Sequence, residues 1–439
     1  MMPRGRNGRR ASAAASGTPI GQGRSQRLPL SFSFLLSGET ISLFGSQVTA
    51  VLLPLVAVLV LDANKLVMGL LAAAGWAPVV IFGLVAGIIV DRHDTRRILI
   101  CCNVVCVLAL GTIPLLAWRD LLSIPVLVIV ALVVGTAYVF FNIAFQTFVP
   151  DIVATDQLES ANSRLELCRS TAQLLGPLAG GTLATAINPA YGLLIDAASY
   201  ILATLTLLMV PRPARAASRP RATVAEGGSL ITSLKEGQRL VWRSRSLRLV
   251  VITGSSINIF IAGITALLVL YITRTLDLSA GFVGLALAVE GGGALLGALA
   301  YPRIAEKIGE SGCIRFGIIS MAVGGMLLPF AGLGVASVAC VLVSRVFSGF
   351  GSPVVNIALV TLRQRITPPE LLGRVNATAR VGIMSSLPLG ALLFGAVAQA
   401  TSVQDALWFA ASGQIIVVMV LGSRVARIRN FAVGASDDA

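Results

Sequence analysis

The stretch ILICCNVVCVLALGTIPLLAWRDLLSIPVLVIVALVVGTAYVFFNIAF, residues 98–145, decides the fold. Two apolar runs, Ile98–Ala117 and Ile124–Phe145, are parted only by WRDLLS. Each run is near the ~20 residues that a helix needs to cross the hydrocarbon of a bilayer. The break between them is long enough for a turn and too short for a domain. Working outward, the same pattern recurs on both sides. The first half reads as spans Phe34–Leu61, Met68–Val90, Ile98–Ala117, Ile124–Phe145, Leu165–Ile187 and Leu193–Val210. The second reads as Leu249–Thr273, Phe282–Tyr301, Cys313–Ala331, Val335–Ile357, Val375–Gln399 and Ala406–Leu421. Lipid leaves backbone groups no water to bond, so such runs must be helices; continuous apolar runs do not alternate as barrel strands do. The expectation is an all-α integral membrane protein with twelve transmembrane helices in two six-helix, pseudo-symmetric bundles.

Charge orients these spans. The chain has 34 Lys and Arg against 20 Asp and Glu, a net charge of +14. About thirty of the basic residues lie in alternate gaps and the two tails, the pattern of cytoplasmic loops. Lys65, Arg119 and Arg274 lie in the other gaps, and Arg345 sits inside a span. Both termini are therefore expected in the cytosol, with the chain in the cytoplasmic membrane. The positive charge faces anionic inner-leaflet lipid, not nucleic acid. A composition 56% hydrophobic and 12% charged is far from that of a soluble domain. The 44 glycines suit close helix packing in a membrane.

Several chemistries are excluded. The single histidine, His93, removes histidine relays, His-ligated metals and most hydrolytic triads. Cys101, Cys102, Cys106, Cys168, Cys313 and Cys340 show no zinc-type spacing and lie in or beside apolar runs. No GxxxxGK[ST] occurs, so no P-loop is present. Neither an enzyme, a metal site nor a cofactor is expected; the energy source expected is a proton gradient.

Residues 1–27, rich in Arg, Gly, Ser and Ala, read as a disordered basic cytosolic tail, with no removable signal peptide. Residues 28–210 form the first bundle, 211–248 a cytosolic linker, 249–424 the second bundle, and 425–439 a second cytosolic tail. Leu230, Ile231, Leu234 and Val241 of the linker fall near helical spacing, with Lys235, Arg239 and Arg243 elsewhere on the turn. The linker is thus either an amphipathic helix on the inner leaflet or a plain connector. The halves repeat. Asn142-Ile143-Ala144 with Thr147 recurs as Asn356-Ile357-Ala358 with Thr361, an offset of 214 residues (142 to 356). At that offset Gly135 meets Gly349, Leu158 meets Leu372, Asn162 meets Asn376, Gly176 meets Gly390 and Gly181 meets Gly395. Six crossings separate equivalents, so the repeat is parallel. Rocking of two bundles about a midplane site follows naturally.

The gap after the second span reads GLVAGIIVDRHDTRR, residues 83–97. It resembles the GxxxDRxGRR loop signature of the major facilitator superfamily, with Asp94 at the usual second glycine and Thr95 at a usual arginine. The resemblance implies a gate: Gly87 packs closely on a neighbouring helix, and Asp91, with Arg92, Arg96 and Arg97 around it, latches the cytosolic seam. A plain topological role for the arginines is the alternative. Ala305 stands where a second Asp91 would map. The fifth span carries Gly176-Pro177-Leu178-Ala179-Gly180-Gly181, similar to the GPxxGG motif of the superfamily's drug and metabolite antiporters, which implies export. Ser42, Gly45 and Ser46, residues 196–200, and the loops 150–162 and 368–376 fit the multidrug, macrolide and siderophore exporter branch.

Charge within a span costs ~2.5–3.5 kcal/mol and needs a reason. Glu290 lies mid-span before Gly291-Gly292-Gly293, and Arg345 lies mid-span two helices later. They are expected to face each other or the substrate path. Near the arginine the carboxylate ionises; parted from it, it would take up a proton. The alternative is a static buried pair. Glu39 is a coupling, substrate-binding or interfacial residue, and Asp196 a structural one. Glu166 and Arg169 read as a local pair. Asn142 and Asn356 are cavity candidates by their place in the repeat. Tyr138, Phe140, Phe141, Phe145 and Phe148 either line a cavity for flat lipophilic substrates or pack the bundle. The expected function is proton-coupled antiport exporting small lipophilic compounds by a monomer. The alternatives are a lipid or lysophospholipid transporter on the same fold, and a membrane sensor or assembly partner that moves nothing.

Overall fold

The computed structural model describes residues 28–83, 85–211, 238–333, 336–368, 371–422 and 424. Both tails and most of the linker lie outside them. So do Leu230, Ile231, Leu234 and Lys235; the described remainder of the linker is helical over 238–243. The helices are α1 Leu30–Leu55, α2 Lys65–Phe82, α3 Val85–Arg92, α4 Thr95–Trp118, α5 Ile124–Ile152, α6 Leu158–Ala186 and α7 Pro189–Met209. The second half continues with α8 Arg245–Leu270, α9 Ala280–Phe330, α10 Ser337–Ile366, α11 Leu372–Ala400 and α12 Val403–Val417. Side chains of Asn64, Asp94, Ser244, Ser279 and Ser402 accept first-turn amides and so set helix starts. No strand occurs among the described residues.

Ten of the helices are long and apolar enough to cross a membrane. Helix α9 holds two crossings. Its 51 residues would reach about 76 Å if straight, more than twice the ~30 Å hydrocarbon thickness. It reverses at Gly309, whose φ of 68° is a left-handed conformation that glycine adopts without steric cost. The reversal shows in the packing on α10. Gly293 and then Gly297 meet Val346 and then Phe350, whereas Gly317 meets Gly351 and Gly324 meets Ser344. Helix α6 is the remaining crossing. Glu159, Arg164, Glu166 and Arg169 lower its hydropathy, and its apolar part carries Gly176 to Gly181. The second crossing is split into α2 and α3. The described residues therefore account for twelve crossings.

Within the first half, α1 packs on α6 and α7, α4 on α5 and α7, and α2 on α5; in the second, α8 packs on α11 and α12, and α9 on α10 and α12. The halves meet along α2–α11 and α6–α9, with a smaller contact between α2 and α8. We call the end bearing Arg92, Arg96, Arg97 and Arg365 the basic end, and the end bearing Asp62, Lys65 and Arg274 the charge-poor end. At the charge-poor end one apolar core runs through both halves, from Leu52 and Leu110 to Leu267 and Leu407. Towards the basic end the core divides. One part, around Phe32, Leu99 and Phe148, belongs to the first half; the other, around Ile314 and Val354, belongs to the second. The halves thus share one core at the charge-poor end and keep separate cores towards the basic end.

The seal has two-fold character. A Cβ placed on Gly181 would stand 2.8 Å from Gly284 Cα, and one on Gly395 would stand 2.9 Å from Gly69 Cα. Only glycine admits such backbone contact. Equivalent crossings also end alike. Helices α1 and α8 both run into π turns, Val56–Val60 and Tyr271–Thr275. These are followed by Asp62 and Asp277, with φ of 50° and 52°.

Candidate transport site

A cavity of about 230 Å³ opens inside the first half. It is built by α1, α4, α5, α6 and α7, with Glu39, Ser46, Asn103, Asn142, Arg169 and Gln173 among its polar walls. Tyr138, Phe141, Phe145 and Tyr200 supply aromatic faces. Phe141 and Phe145 stack with centroids 5.7 Å apart, one helical turn separating them. Glu39 is half-buried on α1. Arg169 lies on α6 in the same cavity and also approaches Glu166 at 3.8 Å. The contact with Glu166 is the local pair expected on one helix face, and the same arginine lines the cavity that holds Glu39. The aromatic cluster divides: Phe148 is buried in the core, Phe140 faces the other side of α5, and the remaining three line the cavity.

Beneath the cavity, α1 and α7 share a polar knot. Asp196, 1% exposed, accepts hydrogen bonds from Thr49 and from Ser199 at 2.9 Å. Ser46 bonds the Tyr200 hydroxyl at 2.9 Å. Gly45 lets α7 come this close. The knot sets cavity-lining Ser46 and Tyr200 beside a carboxyl bonded by hydroxyls. Sequence reading gave Asp196 a structural role but did not join it to Thr49. The signal was two turns of α1 bearing Ser42, Ser46 and Thr49 along one face.

In the second half, Glu290 Oε2 and Arg345 Nη1 are 3.3 Å apart. The Arg345 side chain is 2% exposed and that of Glu290 33%. Arg345 also donates to Ser344 Oγ at 3.3 Å, and Ser344 donates to Gly324 O at 2.6 Å. Helix α10 approaches the α9 backbone closely where Gly349 faces Glu290. The two acidic centres are joined through α6: Gln173 lines the cavity, and its carbonyl would lie 2.9 Å from a Cβ on Gly291. Asn142 lines the cavity, while Asn356 is exposed on α10.

The loop motif is arranged differently from the expectation. A Cβ at Gly87 would meet open space, so no close packing is made there in this conformation. Asp91 is exposed and forms no ion pair among the described residues. The neighbours act within the first half. Arg96 donates to Leu207 O at 3.3 Å and Leu208 O at 2.9 Å, carbonyls of the last turn of α7. Asp94 caps α4, accepting from Arg96 N at 3.0 Å; this is what the aspartate offers at the motif's usual glycine. Arg92 is exposed, and Arg97 pairs with Asp94 at 3.5 Å. Of the other motif, Gly176 packs on Gln47, Pro177 and Gly181 on Gly284, and Gly180 on Val48 and Val51. It forms the seam of α6 with both α1 and the opposite half. Among the described residues no cluster of His, Cys, Asp and Glu could hold a metal ion.

The whole architecture has counterparts. Residues 29–437 match the transmembrane secretion effector family. The multidrug efflux pump Tap of Mycobacterium tuberculosis is 25% identical over 382 residues, covering 84% of this chain and 87% of that one. Macrolide efflux protein A of Streptococcus pyogenes is 22% identical over 400 residues, covering 89% and 95%. The crystal structure of nucleoside transporter NupG superposes with a TM-score of 0.76 at 11% identity, over 91% of this chain and 100% of that one. The chain belongs to the transmembrane secretion effector family of the major facilitator superfamily and is a multi-pass membrane transporter.

Proposed function

We propose that the protein exports small lipophilic compounds from the cytosol in exchange for protons, by alternating access. The observation that carries this reading is the Glu39 cavity, polar and aromatic together, in a bundle sealed at the charge-poor end. With the basic end assigned to the cytosol by its Lys/Arg excess, the conformation is inward-facing and ready to load. Aromatic faces and a few placed polar groups suit lipophilic compounds of varied shape. Efflux by the two named relatives supports the same direction.

Glu39 and Arg169 serve as the exchange pair. The carboxylate ionises beside the arginine and takes up a proton when Arg169 turns to Glu166 or to substrate. Glu290, held by Arg345, is the second acid. Purified protein in proteoliposomes with an imposed pH gradient tests both. Expected is dye movement that collapses with a protonophore, is lost in Glu39→Gln and is retained in Glu290→Gln. Movement untouched by the gradient would overturn proton coupling, and loss only in Glu290→Gln would transfer the role to that pair. Tags at residues 120 and 190 reachable only from the cytosol would reverse the assignment of the ends.

A further inference from the structure

A second space lies against the transport cavity. Helices α2 and α4 each pack along α5 but not along one another, leaving a groove of about 510 Å³ floored by α5. Pro78, Ile81, Cys101, Val105, Val133 and Phe140 are among its walls, and almost everything it presents is apolar. Ile81 is 59% exposed and Cys101 is exposed, so the groove opens sideways, where lipid lies. Phe82 and Phe140 meet with ring centroids 6.2 Å apart at the end nearest the basic loops. That contact narrows the way towards water and leaves the lateral opening. The lining residues fall on the last turns of α2 and the first turns of α4, which places the groove at the depth of the leaflet next to the basic end.

Two residues belong to both spaces. Cys102 and Ala137 line the groove on one side and the Glu39 cavity on the other. Both are small and buried, and they part the two spaces where α4 packs on α5. Behind them stand the polar groups of the cavity; in front of them stands an apolar trough continuous with the bilayer. An occupant that matches both has a hydrogen-bonding head and an apolar body.

Building on the export reading above, we infer that amphiphilic substrates reach the transport cavity laterally from the leaflet at the basic end, through the α2–α4 groove past Cys102 and Ala137. The head settles by Glu39, Asn142 and Gln173, and the apolar body stays in the groove. The substrate class is thus an amphiphile already dissolved in the membrane, and the groove selects for the body while the cavity selects for the head.

The test uses two matched probes in proteoliposomes: a dansyl fluorophore carrying an octyl chain, and the same fluorophore without it. Val105→Trp and Val133→Trp fill the groove and leave the cavity walls unaltered; Val105→Leu serves as the mild control. Expected is a half-saturating concentration for the octyl probe raised about tenfold, the loss of roughly two buried methylenes, with the short probe unchanged. A photoreactive diazirine on the octyl chain, used on the unaltered protein, should attach to Ile81, Cys101, Val105 or Val133 and be displaced by excess unlabelled probe. This arm stands even where a tryptophan variant does not fold. Equal transport of both probes by the plugged variants, or attachment that excess probe does not displace, overturns the lateral route; the second result would mark a resident lipid chain. Displaceable attachment without transport of either probe keeps the groove and removes the export reading.

Discussion

Replacing Gly181 by alanine should unseal the charge-poor end. Its new Cβ would stand 2.8 Å from Gly284 Cα, 2.9 Å from Gly284 N and 3.1 Å from Ala280 O. All three are backbone atoms, so no side chain can rotate out of the way; α6 and α9 must separate by several tenths of an ångström or more. Overpacking of this kind costs ~1–3 kcal/mol. The cost falls on the sealed conformation alone, because the contact is absent once the seam opens. The ratio of sealed to open molecules should then fall by roughly 5–150-fold. Alanine also favours helix by up to ~1 kcal/mol, but it does so in both conformations and cancels from the ratio. Spin labels on Ala186 and Thr275 report the separation of the halves at this end, and pulsed dipolar spectroscopy reads the populations. Gly111→Ala is the control, since a Cβ there meets nothing within 4 Å. The expected result is a longer-distance population in Gly181→Ala that is absent from the wild type and the control. Identical distance distributions in all three, in folded protein, would refute the assignment of the glycine contact as the seal.

Other perturbations follow from the same geometry. Arg345→Ala strands Glu290 and empties a fully buried site; a loss of ~3–5 kcal/mol of stability is expected by thermal unfolding in detergent, largely restored by the pair Glu290→Gln with Arg345→Met. Asp62→Asn removes the ion pair with Arg274 at the charge-poor end, but both groups reach solvent, so the same spin-label assay should show at most about a fivefold shift towards opening. Asp94→Ala removes the α4 cap and should cost ~0.5–2 kcal/mol in thermal unfolding, with Asp94→Ser retaining most of it.

The membrane fold is legible because one quantity, apolar length, is set by the solvent itself. The limits of that signal show at the basic end. Helix α5 runs on to Ile152 rather than Phe145, and α6 starts at Leu158 rather than Leu165. Hydropathy marks where lipid ends; a helix continues into water wherever its charged residues still favour it, as Glu159 and Arg164 do. The reversal between the eighth and ninth crossings was legible as a gap in hydropathy, but its brevity rests on one φ angle at Gly309. At the site, charged residues inside spans drew attention to Glu290 and Arg345 through their cost, and the structure brings them into contact. Glu39 stood out less, and the presence of Arg169 in its cavity is a tertiary fact, since 130 residues separate them. Gly87 has no close neighbour in this conformation; a motif serves a whole cycle, whereas a structure holds one stage of it.

Because Gly309 turns the chain without a loop, the eighth and ninth crossings behave as one stiff hairpin straddling α10. One arm grips Arg345 through Glu290; the other reaches the same neighbourhood through Gly324 and Ser344. These three crossings form a cassette clamped at its centre from both flanks. A cassette swings without internal rearrangement. Whatever force tilts the second bundle is therefore delivered intact from the seam with α6 to the far side of α10, and the arginine works as its rivet.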